Sequence, residues 1–175
     1  GAPWTVATYM VAGHGSRDQA AARLMAYGEP ERFAALIGAI TETTIAFLRQ
    51  QADAGADALM LFDSWAGALS AGQFGRWVVE PTARIAEALR QSHPHIPLIG
   101  FPRGAGVRIV GYAAETGVAA VGLDEGLDAG WAARNLPENL PVQGNIDPVA
   151  LLAGGQALVD EVRRCRALLA GRPHI

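Results

Sequence analysis

The sequence predicts an α/β protein whose parallel strands are joined by helices, and three observations carry that reading. Short apolar runs alternate with amphipathic stretches along the whole chain, separated by brief loops. The apolar runs, such as Ala58-Leu59-Met60-Leu61-Phe62, are continuous rather than alternating, as in parallel strands covered on both faces. One local grammar also occurs twice: a helix stopped by Gly55 or Gly117, a buried strand, then an acidic exit at Asp63 or Asp124-Glu125.

Taken in order, Gly1-Ala2-Pro3-Trp4-Thr5-Val6-Ala7-Thr8-Tyr9-Met10 sets a rigid turn, then a strand-like stretch that carries Tyr9 toward the loop Gly13-His14-Gly15-Ser16. Termini usually fray, so so dense a motif at residue 1 leads us to expect the interior of a longer protein. Phe33, Leu36, Ile37, Ile40, Thr44, Phe47 and Leu48 share one face at helical spacing, and the helix ends near Ala54-Gly55. A helix from about Gln73 to Arg90 holds Pro81, which removes a backbone donor and predicts a kink or break. Strands follow at Ile96 to Phe101, Ala119 to Leu123 and Pro141 to Asn145, with a helix ending at Glu115 between the first two. Pro102 to Gly106 is a loop, and a last helix runs from about Gln156 to Leu169. No linker or shift of composition divides residues 1–175, which read as one domain.

Composition narrows the function. Half of the 175 residues are hydrophobic and 18% are charged, which excludes a disordered chain. A net charge of -3 without a basic cluster argues against nucleic acid as partner. The 14 basic residues are all Arg, a bias of composition rather than a site. Cys165 is the sole cysteine, so an internal disulfide or a multi-cysteine metal site is excluded, and its spacing from Leu158, Val162 and Leu169 reads as core packing. No apolar run reaches the roughly 18 residues of a membrane span, which makes a cytoplasmic protein the default.

Parallel strands joined by helices form either an open doubly wound sheet or a closed barrel. No Gly-x-Gly-x-x-Gly or Walker-type loop follows a strand. Polar residues gather instead at the carboxyl ends of strands: Asp63, Ser64, Arg103, Asp124, Glu125, Asn145 and Asp147. In a barrel these ends share one mouth. Ser64 is either a hydroxyl contact for a polar substrate or a helix cap, and the absence of a Gly-x-Ser-x-Gly elbow speaks against a nucleophile. Tyr9 can donate to a carboxylate, or simply pack. Asp147-Pro148 has the pattern of a helix cap followed by Pro at the first helical position. His93 and His95 flank Pro94 ahead of a strand, away from the mouth, whereas His14 sits in a Gly-rich loop on the functional side.

Four stretches in order, Gly1-Ala2-Pro3-Trp4-Thr5 with Thr8-Tyr9-Met10-Val11, Leu61-Phe62-Asp63-Ser64-Trp65-Ala66-Gly67, Val121-Gly122-Leu123-Asp124 and Val142-Gln143-Gly144-Asn145-Ile146-Asp147-Pro148, resemble the uroporphyrinogen decarboxylase family across the whole chain. The resemblance implies a (β/α)8 TIM barrel, of which these residues hold roughly strands four to seven with flanking pieces, usually in a homodimer. It also implies decarboxylation of the four acetates of uroporphyrinogen to give coproporphyrinogen in haem biosynthesis, without metal or organic cofactor, the protonated pyrrole acting as electron sink. Residue by residue, Tyr9 and Ser64 match the family's substrate-contacting tyrosine and serine. Its Arg-rich motif, main catalytic aspartate and Gly-His-Gly histidine are expected outside residues 1–175, so no catalytic residue is assigned within them and the segment alone is expected to be inactive. His14 replaces a glycine of a Gly-rich stretch, and Trp65 stands where other members carry histidine. Arg103 is added on chemical grounds, since a polyacidic substrate needs cations. Two alternatives are weighed. A related barrel methyltransferase dependent on zinc or a corrinoid is disfavoured by the single Cys165 with no neighbouring His. The other is an inactive half-barrel with open sheet edges.

Overall fold

The computed structural model describes residues 1–174. Four strands, β1 (Leu59–Asp63), β2 (Leu98–Pro102), β3 (Ala120–Leu123) and β4 (Val142–Gly144), form one parallel sheet in the order β1-β2-β3-β4. Leu61 pairs with Gly100, Gly100 with Val121, and Val121 with Val142. A parallel bridge from Val142 to His174 continues the series. Each strand therefore lies beside its predecessor in sequence. That is the order of a barrel wall, whereas a doubly wound sheet reverses its order at a switch point.

The stretch from Pro3 to Ala12 is helical, not strand-like. Helix α1 (Pro3–Ala12) starts with Pro at its first position and ends where Gly13 adopts φ 71° and returns its N–H to the Tyr9 carbonyl. The β-branched residues Thr5, Val6 and Thr8 suggest a strand, but the Thr8 hydroxyl bonds back to the Thr5 carbonyl at 2.7 Å and satisfies itself inside the helix. Trp4, Ala7 and Thr8 then share one buried face. Thus Tyr9 reaches the mouth from a helix rather than from a strand exit.

Helix α2 (Ala20–Gly28), short and built of strong helix formers, escapes the periodicity test. Helix α3 (Pro30–Asp53) is the long amphipathic element, and Gly55 just beyond it takes φ 98°. Pro81 does not break the helix; the turn before it widens instead. Helix α4 (Ala71–Phe74) passes into a π turn over Gly75–Val79 before α5 (Glu80–Ser92), with the Glu80 N–H reaching the Gly75 carbonyl five residues back. The wider turn accommodates the missing proline donor without ending the helix. The remaining helices are α6 (Ile109–Thr116), α7 (Ala129–Asn135), α8 (Pro148–Ala153) and α9 (Gly155–Leu168).

The core lies between the sheet and its helices. Trp4 of α1 and Trp77 of the π turn meet Phe33 of α3 edge to face, at 5.9 and 5.0 Å between ring centres. On β1, Leu59, Leu61 and Asp63 point into this layer, while Met60 and Phe62 are more accessible. Phe62 is 47% exposed and meets Phe101 edge to face on that second face. The continuous apolarity of the strands therefore fits a barrel, in which helices cover the outer face and side chains of other strands meet the inner one. No helix among the described residues is long and apolar enough to cross a membrane.

Candidate functional site

The carboxyl ends of β1, β2 and β3 enclose a cleft of about 320 Å³, lined among others by Ser64, Trp65, Arg103, Asp124, Glu125 and Arg17. Its floor is set by backbone. The Gly67 N–H donates to the Arg103 carbonyl at 2.9 Å and the Arg103 N–H to the Asp63 carbonyl at 3.1 Å, joining the turns after β1 and β2. Gly67 and Gly104 approach so closely that a Cβ on Gly67 would lie 2.8 Å from the Gly104 oxygen. The Arg108 guanidinium binds the carbonyls of Leu69, Gly104 and Ala105, holding both turns from behind.

The acids of the mouth divide by role. Asp124 accepts from the backbone N–H of Gly104 at 2.8 Å and of Gly126 at 2.9 Å, so its carboxylate shapes the rim. Glu125 accepts from Arg103 at 2.6 Å; its own backbone N–H and that guanidinium hold its carboxyl below the usual range. Asp147 accepts from the Val149 N–H and caps α8, with Pro148 at the first helical position as the sequence suggested. Asn145, buried and at φ 90°, donates to the carbonyls of Asp124 and Leu127 and fixes the loop after β3.

Asp63 lies beneath the mouth, 2% exposed between β1 and the helices. Its Oδ1 accepts from the Thr5 hydroxyl at 2.6 Å, while its Oδ2 has no partner among the described residues. Burial pushes its pKa up to about 7, only partly opposed by the Thr5 bond. The Thr5 oxygen in turn accepts from the Trp65 N–H at 3.3 Å, the Trp65 carbonyl accepts from the Trp4 indole at 3.0 Å, and the Trp65 indole donates to the Tyr9 hydroxyl at 3.2 Å. These four bonds tie α1 to the turn that carries Ser64. They bring Tyr9, which is 46% exposed, to the same rim as Ser64.

Ser64 and Arg103 thus line one cleft and Tyr9 is bonded to its wall, whereas other candidates lie apart. His93 binds Asp53 at 3.0 Å below the amino ends of the strands, the His14 ring hydrogen-bonds to the neighbouring Gly15 carbonyl, and Cys165 is 1% exposed in the core. Sequence reading passed over Thr5, whose partner Asp63 is 58 positions away and leaves no local signal. It also passed over Arg17, although the Gly-rich loop before it was visible.

The family model described as "Uroporphyrinogen decarboxylase (URO-D)" matches residues 1–175. Proteins named uroporphyrinogen decarboxylase from Novosphingobium aromaticivorans, Sphingopyxis alaskensis and Erythrobacter litoralis are 57%, 56% and 53% identical to it over 175 residues. Each alignment takes in 100% of this chain and 51% of the relative, so the chain spans about half the length of the curated relatives it matches. The four-stranded parallel sheet is what part of the family's TIM barrel requires. On the match along its whole length, the chain belongs to the uroporphyrinogen decarboxylase family.

Proposed function

We propose that the intact protein decarboxylates the acetate side chains of uroporphyrinogen to methyl groups, giving coproporphyrinogen. The observation that carries this reading is the 57% identity, over every residue of the chain, to a protein of that name. Each step breaks one C–C bond, releases CO2 and replaces it by a proton. The electron pair is held meanwhile by the pyrrole, so that no added cofactor is called for. The chemistry left to residues 1–175 is to seat and orient carboxylates. The Ser64 hydroxyl and the Tyr9 phenol are donors for that purpose, and Arg103, although paired with Glu125, keeps further N–H groups for a second acceptor. The acid that protonates the ring belongs, on this reading, to residues outside the segment. We also propose a cytoplasmic homodimer.

Ser64→Ala and Tyr9→Phe in the intact protein are each expected to lower kcat/KM for uroporphyrinogen about tenfold, the effect of one lost hydrogen bond to a charged group. Chromatographic measurement of coproporphyrinogen checks this. Absence of that product from the unaltered protein would overturn the proposed activity, and unchanged kinetics in both variants would overturn the two assignments.

A further inference from the structure

We propose that Arg17 seats a carboxylate of the substrate at the rim of the cleft and so acts as a binding residue for the polyacidic ligand; this rests on the decarboxylase reading above. Four charged side chains line the cleft: Arg17, Arg103, Asp124 and Glu125. Three of them are already engaged. Arg103 and Glu125 pair at 2.6 Å, and the Asp124 carboxylate is held by the backbone N–H groups of Gly104 and Gly126. Arg17 makes no side-chain hydrogen bond or ion pair among the described residues. Of the two cations that line the cleft it is the one without an ion-pair partner among the described residues, so its N–H groups are left for a ligand.

The loop that carries Arg17 is built to hold it there. Gln19 is 2% exposed and adopts φ 56°, a left-handed conformation that is costly for a residue other than glycine. Its amide donates to the Ser16 carbonyl and closes the loop around Arg17. Asp18, the acid next in sequence, is turned away from the cleft toward α2. Its carboxylate accepts from the Ala20 N–H and from the Ser16 hydroxyl, both at 3.1 Å, and these bonds hold it below the ordinary carboxylate range. The neighbouring negative charge is therefore spent on starting a helix, and the planar fork of Arg17 is free to grip a carboxylate in bidentate fashion. The Ser64 hydroxyl and the remaining Arg103 N–H groups belong to the same lining, so that one cleft gathers several donors.

The test uses the intact protein with Arg17→Gln and Arg17→Lys. Arg17→Gln is expected to raise KM for uroporphyrinogen about tenfold with kcat within about twofold, and Arg17→Lys to fall between it and the parent. Arg32→Gln, which removes an exposed ion pair with Glu29 at the start of α3, is expected to leave KM unchanged. Equal KM in Arg17→Gln and the parent would overturn the proposal, and so would an equal rise in Arg32→Gln. A fluorescence titration with uroporphyrin, the unreactive oxidised octacarboxylate, separates the two readings. If the parent makes no coproporphyrinogen yet binds uroporphyrin about tenfold more tightly than Arg17→Gln does, the decarboxylase reading fails and the rim site stands. Equal uroporphyrin affinity in the two proteins overturns the rim site.

Discussion

Replacing Asp63 by Asn is expected to abolish a loss of about 4 kcal/mol in folding stability that the unaltered protein undergoes between about pH 4 and pH 7. In the folded state burial raises the Asp63 pKa from 3.8 to about 7. Between those two values the folded protein keeps a proton that the unfolded chain has released. Because the folded state binds more protons there, stability falls as pH rises, by about 1.4 kcal/mol per unit for this one group. The contribution is complete below about pH 4, is lost by about pH 7, and is flat beyond. The groups that act on the carboxyl are Thr5 from α1 and, more weakly, the positive charge at Gly1, and the Asp63 charge in turn helps to push the Tyr112 phenol of α6 upward, after burial. Asn keeps an oxygen for the Thr5 hydroxyl and carries no charge at any pH. Urea unfolding of both proteins at pH 4, 5.5 and 7.5 checks the effect. The difference between them should grow with pH in favour of Asn, and a constant difference would refute the account.

Gly67→Ala is expected to combine a stability loss of about 1–3 kcal/mol with a fall in activity of about 100-fold. The added Cβ would lie 2.8 Å from the Gly104 oxygen, 3.0 Å from its Cα and 3.1 Å from its carbonyl carbon. All three are backbone atoms, so no side chain can swing aside. Gly104 has no room to retreat either, being held at φ 73° with its N–H on Asp124. The turns bearing Ser64 and Arg103 must then part, and a displacement of about 1 Å in a positioning element is enough to cost the activity stated. Gly72→Ala is the matched control, because a Cβ there meets nothing within 4 Å and alanine favours the helix. A Gly67→Ala protein with parental melting temperature and turnover would show that the contact can relax.

The strands and their acidic exits were legible because continuous apolar runs ended by polar residues have few other meanings. For the same reason Ser64 and Arg103 read as mouth residues from the sequence alone. Helix α1 was misread because Thr5, Val6 and Thr8 carry a strand-like local preference that docking against Phe33 and Trp77 overrides. Its true signals, Pro3 at the start and Gly13 at the end, were present and outweighed. The pairing of Arg103 with Glu125 and of Thr5 with Asp63 joins residues 22 and 58 positions apart, and such partnerships have no signature in a single sequence. Arg17 is a different case, since what distinguishes it is the satisfaction of every other charge around it.

The bond from the Trp65 N–H to the Thr5 hydroxyl has a kinetic meaning of its own. That amide lies just beyond β1 and is shielded from solvent deuterium by a side chain 60 positions earlier, not by the sheet. Its exchange rate therefore times the undocking of α1 from the strand ends, separately from the melting of the sheet, whose amides answer to the larger opening. Exchange at this one amide therefore reports on the contact between α1, which carries Tyr9, and the turn that carries Ser64.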